Sequence, residues 1–243
     1  MDNSNSFSWE RLGEIGILTL SNGKENYLTD PDFVELETLK QWVSEDGLKG
    51  IIIRGLGRNF SAGADLKRLQ QLSEDTKCLE EKITKGKQIL DFIEDLDVPV
   101  IAAIKGVCFG GGLEIALACH MRIASEKALF AFPETNHGLI PGLGGTFRLT
   151  QLLGKKALNI ILNADMVNAS NAIEIGLVDY ISETKDTFEW AKNKLLSIIS
   201  DRPKEVVNYT MQAIRNAKKL SRVEALRIET ELFCKLAIKM QSN

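Results

Sequence analysis

An apolar run, Pro99-Val100-Ile101-Ala102-Ala103-Ile104, leads to Gly110-Gly111-Gly112 and then to Leu113-Glu114-Ile115-Ala116-Leu117-Ala118. The first segment reads as a strand buried on both faces. The last reads as a helix, Leu113–His120, that is apolar nearly all round and therefore belongs in the interior. Three glycines between them let the backbone turn tightly and let another group approach closely. Such a join favours a layered arrangement of strands and helices.

The remaining pattern agrees. Ile15–Leu20 and Gly50–Arg54 read as further strands, with shorter ones at Met121–Ser125 and Ala128–Phe132. Thr29-Asp30-Pro31 offers a cap and an early proline, so a helix is expected to carry Phe33, Leu36, Leu39 and Trp42-Val43. Residues 79–95 form another helix. After the loop Gly138–Gly145 come helices to about residue 164, then a helix and a strand ending at Ile181. Three helices close the chain from about residue 185 to 239, broken at Arg202-Pro203 and before Ser221. The expected organisation is an α/β core over residues 1–184 and a helical region over 185–243 within the same structural unit. No linker, low-complexity tract or repeat interrupts it.

At 243 residues the chain can bury a sizeable core, roughly 70–75% of its unfolded surface. Its net charge of −3 arises from 30 basic and 33 acidic residues. That balance lacks the basic footprint of a nucleic-acid binder. Cys78, Cys108, Cys119 and Cys234 form no C-x-x-C pair, and two histidines are too few for an ordinary zinc site, so no metal is expected. The amino terminus is polar and acidic, unlike a signal or transit peptide, and no apolar run reaches the ~20 residues of a membrane helix. Free thiols and these absences point to a cytoplasmic protein with no membrane partner.

Two carboxyl groups stand beside glycine-rich loops. Glu114 lies in the first turn of the apolar helix, where a buried carboxylate would need a partner or a function; the alternative is a solvated glutamate favoured by the helix dipole. Glu134 follows Phe130-Ala131-Phe132-Pro133. Apolar surroundings would keep it protonated as a general acid, whereas a solvated loop carboxylate would do nothing. The Gly110–Gly112 turn presents unpaired helix N–H groups to which an oxygen gaining charge could bind, unless it is a plain turn. Phe60-Ser61-Ala62-Gly63-Ala64-Asp65-Leu66 has small residues that let backbone N–H groups reach a ligand; it also reads as a turn followed by an Asp-capped helix. His137 either tunes the Glu134 site or lines a loop, and His120 is read as structural. Dinucleotide, P-loop and serine-elbow motifs are absent.

These segments, in this order, resemble the enoyl-CoA hydratase/isomerase (crotonase) superfamily, from about Ile15 to about residue 235. Phe60–Leu66 looks like its first oxyanion motif, Pro99–Glu114 like its second, and Pro133-Glu134 through Gly138-Leu139-Ile140-Pro141-Gly142-Leu143-Gly144-Gly145-Thr146 like its third. The resemblance implies a spiral of β-β-α units with a helical C-terminal trimerisation region, assembled as a homotrimer or a dimer of trimers. It implies reversible syn addition of water across the 2,3 double bond of an enoyl thioester, with no cofactor. Glu114 and Glu134 would be catalytic, and the N–H groups of Ala64 and Gly111 would form the oxyanion hole. Asn26, Leu28, Ala62, Asp65, Leu66, Lys67, Gly110, Pro133 and Gly142 would contact the substrate.

Two departures bear on the carrier. The segment Leu20–Leu28 is shorter than the family pattern and lacks its proline, with Tyr27 in place of a small residue. The closing segment that often holds the adenine end of CoA is not found after Phe233. The acyl group is therefore expected on CoA or on the phosphopantetheine arm of an acyl carrier protein. Isomerisation or decarboxylation in a polyketide-type pathway is the alternative chemistry, and a non-catalytic scaffold is the alternative outside enzymology.

Overall fold

The computed structural model describes residues 6–239. Two β-sheets and a set of helices enclose two apolar cores, one on each face of the larger sheet. The larger sheet holds β1 (Phe7–Leu12), β2 (Ile15–Leu20), β3 (Gly50–Gly55), β4 (Val100–Ile104), β6 (Met121–Ala124) and β9 (Tyr180–Ile181), paired in that order. The smaller sheet pairs β5 (Val107–Phe109), β7 (Leu129–Ala131) and β8 (Val167–Asn168). β1 and β2 form an antiparallel hairpin; every other pair in the large sheet is parallel.

The parallel strands are apolar along their length because both faces are covered. On one face Leu18, Leu20, Ile51, Ile53, Val100, Ala102 and Ile104 pack towards α1 (Leu36–Val43), α3 (Thr76–Glu94) and α4 (Gly111–Ala118). On the other, Ile15, Ile17, Ile52, Ile101 and Ile123 meet Ala191, Leu195 and Ile199 of α8 (Thr187–Ile199). Alternation along each strand sends neighbours to opposite cores.

Successive segments repeat one plan. Each gives a strand to the large sheet, then a strand or bridge to the small sheet, then helices. β3 is followed by Ser61, which bridges to Cys108, and by α2 (Leu66–Leu72) and α3. β4 is followed by β5 and α4. β6 is followed by β7, a 3-10 turn at Pro133–His137, α5 (Gly145–Leu153) and α6 (Ala157–Leu162). This is the expected spiral. α7 (Ala169–Ile175) then leads to β9, and α9 (Lys204–Lys219) and α10 (Arg222–Lys239) form a closing hairpin. α9 is tied to the core by Arg215 and Gln212, which bond the Asp97 carboxylate at 2.6 and 2.9 Å. α10 packs chiefly on α9 and leaves Val223, Leu226, Phe233 and Ile238 exposed.

The structure corrects several sequence expectations. No helix starts at Thr29-Asp30-Pro31; residues 29–35 run as bends, and α1 begins at Leu36 with no side-chain cap. Asp30 and Asp32 bind Lys82 instead, at 3.4 and 3.0 Å. β1 was not expected: its residues alternate between half-buried and exposed, as befits an edge strand, and lack a continuous apolar run. β5 and β8 are too short to leave a pattern. The closing helix, expected to run to about residue 239, is α10; residues 240–243 lie outside the described region.

Candidate active site

Three consecutive spiral segments deliver their functional groups to one place. The first ends at Ala64, just before α2. Leu28 and Ala64 form a parallel bridge in which the Leu28 amide donates to Gly63 and the Asp65 amide to Leu28. That leaves the Ala64 N–H without a partner among the described residues. Gly63 takes φ +89, and a Cβ on it would stand 2.9 Å from the Phe109 carbonyl oxygen. A glycine is needed there to lay the first segment against the second. Asp65 caps α2 by accepting from the Lys67 and Arg68 amides, as the reading of a turn followed by an Asp-capped helix expects.

The second segment supplies Gly111 at the start of α4. Its amide, too, has no partner among the described residues, and it opens the positive end of the helix. Gly110 before it has φ +49, and an added Cβ would sit 2.7 Å from Oε1 of Glu134. The strand-to-helix turn therefore lies directly against the carboxyl of the third segment.

Glu114 is buried, 2% exposed, so the solvated alternative is excluded. Its Oε1 accepts from the Leu143 and Gly145 amides at 2.6 and 2.7 Å. Oε2 faces Gly111, 4.0 Å from where a Cβ would stand. Burial pushes this carboxyl up to about 7; the neighbouring Glu134 charge acts in the same direction, and the two amides oppose it. Glu134 sits half-buried at the start of the 3-10 turn, and its Oε2 is sealed from solvent with no hydrogen-bond partner. Loss of solvation pushes it up to about 7 as well. Between the two, the amide pair favours the anion on Glu114, while the unpartnered oxygen favours a proton on Glu134.

Both carboxyls and both free amides open into one cavity of about 440 Å³. Leu28, Asp65, Leu66 and Gly142 line it with them. A second cavity of about 500 Å³ adjoins it and is more polar; Ala62, Lys67, Gly110 and Pro133 line this one, together with Tyr27. His137, Ala64 and Glu134 border both. Asn26 is placed elsewhere. It is 1% exposed, and its amide nitrogen donates to the carbonyls of Leu56 and Asn59 at 2.8 and 2.9 Å. Its side chain ties the loop to the end of β3 and does not reach either cavity, which corrects its expected contact with substrate. His120 is structural: its Nδ1 accepts from the Val100 amide at 2.9 Å, and Nε2 lies 3.1 Å from the Glu94 carbonyl. Burial lowers its affinity for a second proton.

Sequence reasoning missed the amides of Leu143 and Gly145 as the holders of Glu114. It gave no role to Arg148, which is buried beneath them, donates to the Leu143 carbonyl and pairs with Glu94 and Asp91. The run of glycines from Gly138 to Gly145 was the signal for the first; an arginine four residues beyond Gly144 carries none by itself.

The chain's likeness to known proteins agrees with this geometry. The family described as enoyl-CoA hydratase/isomerase matches residues 10–242. A probable enoyl-CoA hydratase of Bacillus subtilis is 36% identical over 224 residues, covering 90% of this chain and 85% of the relative. A short-chain-enoyl-CoA hydratase of Clostridium acetobutylicum is 32% identical over 235 residues, covering 94% and 88%. The crystal structure of an enoyl-CoA hydratase from Bacillus anthracis superposes with a TM-score of 0.83 at 29% identity, covering 94% and 89% of the two chains. A two-carboxyl site with free backbone amides, set in a β-β-α spiral, defines a crotonase-type enzyme. The chain belongs to the enoyl-CoA hydratase/isomerase family.

Proposed function

We propose that this protein is an enoyl-CoA hydratase, adding water reversibly across the 2,3 double bond of an enoyl thioester with syn stereochemistry. The observation that carries the reading is the unlike pair of carboxyls. Glu114 is anchored through one oxygen by two amides, and Glu134 holds an unpartnered oxygen, both beside the free amides of Ala64 and Gly111.

The thioester carbonyl accepts from the Ala64 and Gly111 N–H groups. Ionised Glu114 orients a water through Oε2 and takes its proton as the water oxygen bonds to carbon 3. The electron pair of the double bond moves onto the carbonyl oxygen, giving an enolate that the two amides stabilise. Protonated Glu134 then delivers its proton to carbon 2, and the carbonyl re-forms. Losing one such amide donor typically costs ~10²–10³ in rate. No net electron transfer occurs, so the reaction calls for no redox cofactor, and no cluster suited to a metal occurs among the described residues.

The acyl group enters the 440 Å³ cavity and its carrier occupies the polar cavity lined by Tyr27 and Lys67. CoA is the carrier we favour, since the relatives act on CoA thioesters by name. The four cysteines are unpaired, which suits a reducing compartment such as the cytoplasm. We place the protein in a homotrimer or a dimer of trimers, because the exposed apolar residues of α10 need a covering surface.

The test is loss of enoyl-thioester absorbance with purified protein and a series beginning at crotonyl-CoA, the product identified by mass. Gain of one water is the expected result, with kcat/KM falling ~10²–10⁴ in Glu114→Gln and in Glu134→Gln. Hydration unaffected by either substitution would refute the assignment. A double-bond shift that survives Glu114→Gln would place the protein among the isomerases of the family.

A further inference from the structure

We infer that the acyl cavity selects 2-enoyl thioesters of medium length, about eight to eleven carbons, and that Leu79 marks its far end. The inference rests on the hydratase reading and gives it a substrate class.

The cavity's reactive end is fixed by Glu114, whose Oε1 accepts from the Leu143 amide at 2.6 Å. α3 runs away from this point. Gly86 abuts it, since a Cβ there would stand 2.7 Å from Cδ2 of Leu143. One turn earlier, Ile83 faces Gly142, 3.3 Å from a Cβ position there. A further turn out lies Leu79, which lines the cavity. From Gly86 to Leu79 is seven helical steps of ~1.5 Å, or about 10 Å.

α2 forms the opposite wall with Leu66, Leu69 and Leu72, spaced so that they share one side of the helix. Gln70 and Ser73, both exposed, are the polar residues that α2 and its C-terminal end add to this lining. An extended chain of single bonds advances ~3.3–3.6 Å per three bonds, about 1.2 Å each. The apolar length therefore takes about eight bonds beyond carbon 3, which gives a chain of about eleven carbons. Within that length each methylene leaves water for an apolar wall; beyond Leu79 it meets exposed polar groups and gains nothing.

A fully buried methylene contributes ~0.8 kcal/mol, which corresponds to about fourfold in kcat/KM. The profile over butenoyl, hexenoyl, octenoyl, decenoyl, dodecenoyl and hexadecenoyl-CoA should rise about two- to fourfold per methylene to decenoyl and then flatten. Leu79→Trp, which fills the far end, and Leu79→Asp, which makes it polar and suits the first turn of α3, should each lower the decenoyl-to-hexenoyl ratio of kcat/KM about tenfold or more. The readout is a ratio, so a general loss of active protein does not imitate it. A profile that is flat or falls from butenoyl would overturn the inference while leaving the hydratase reading intact. So would a rise that continues to hexadecenoyl, or a ratio unmoved by both substitutions. No hydration of any member would instead remove the hydratase reading on which this rests.

Discussion

Glu114 and Glu134 are alike in residue type and in being pushed up to about 7, yet their hydrogen bonds differ. The two amides on Glu114 stabilise the charged form, and the empty oxygen of Glu134 stabilises the neutral one. In the mechanism proposed above the working form holds one proton on the pair, carried by Glu134. A bell-shaped pH profile of kcat/KM is expected, with its maximum near about 7 and both limbs belonging to the pair. On the acid side Glu114 gains a proton and cannot take one from water; on the basic side Glu134 has none to give. A profile flat across that range would rule out this division of labour. Stability has its own dependence. Burial makes both carboxyls hold their protons more tightly in the folded chain, up to about 7 from the ordinary 4.5. The folded state then binds more protons than the unfolded state between those values, so stability falls as pH rises through them. Thermal melts of Glu134→Gln should show a Tm advantage over the parent that widens across this window and is absent below it.

At the scale of elements, the site depends on turns that only glycine can make. Gly110→Ala adds a Cβ 2.7 Å from Oε1 of Glu134 at a positive φ. It should cost about 1–3 kcal/mol in a denaturant melt and reduce kcat, because the carboxyl must move. Unchanged stability and rate would show that the turn relaxes freely. Arg148 acts on the neighbouring loop, where it holds the Leu143 carbonyl while the Leu143 amide holds Glu114. Arg148→Met should lower stability by about 1–3 kcal/mol and lower kcat more than it raises KM. The sequence showed the parts of this site that are built from unusual runs: three glycines before a wholly apolar helix, and a glutamate within that helix. Asn26 misled because an asparagine at a turn can serve a ligand or its own backbone, and only the surrounding carbonyls decide. At Thr29 a cap-like sequence starts no helix, and Asp30 and Asp32 pair with Lys82 instead. The amides of Leu143 and Gly145 could not be read, since any residue type supplies an N–H.

Across the whole molecule, the spiral makes the site a product of order. The first turn contributes the Ala64 amide, the second the Gly111 amide and Glu114, and the third Glu134, so no single turn holds the whole site. Sequence patterns placed β2, β3, β4, β6 and β7 and the final helices because these are apolar or amphipathic runs; the edge strand β1 and the short β5 and β8 are defined by pairing across the spiral. The closing hairpin differs from the rest of the fold. α10 finds its support mainly on α9, and Phe233 and Val223 remain 70% and 80% exposed. If neighbouring copies cover that surface, as proposed above, subunit concentration enters the folding equilibrium. Dilution should then lower the Tm and the activity per subunit together, and a Tm independent of concentration would argue for a self-sufficient monomer. In a cell, the amount of working enzyme would rise more steeply than the amount of polypeptide made, so that small changes in expression near the assembly threshold act as a switch on flux.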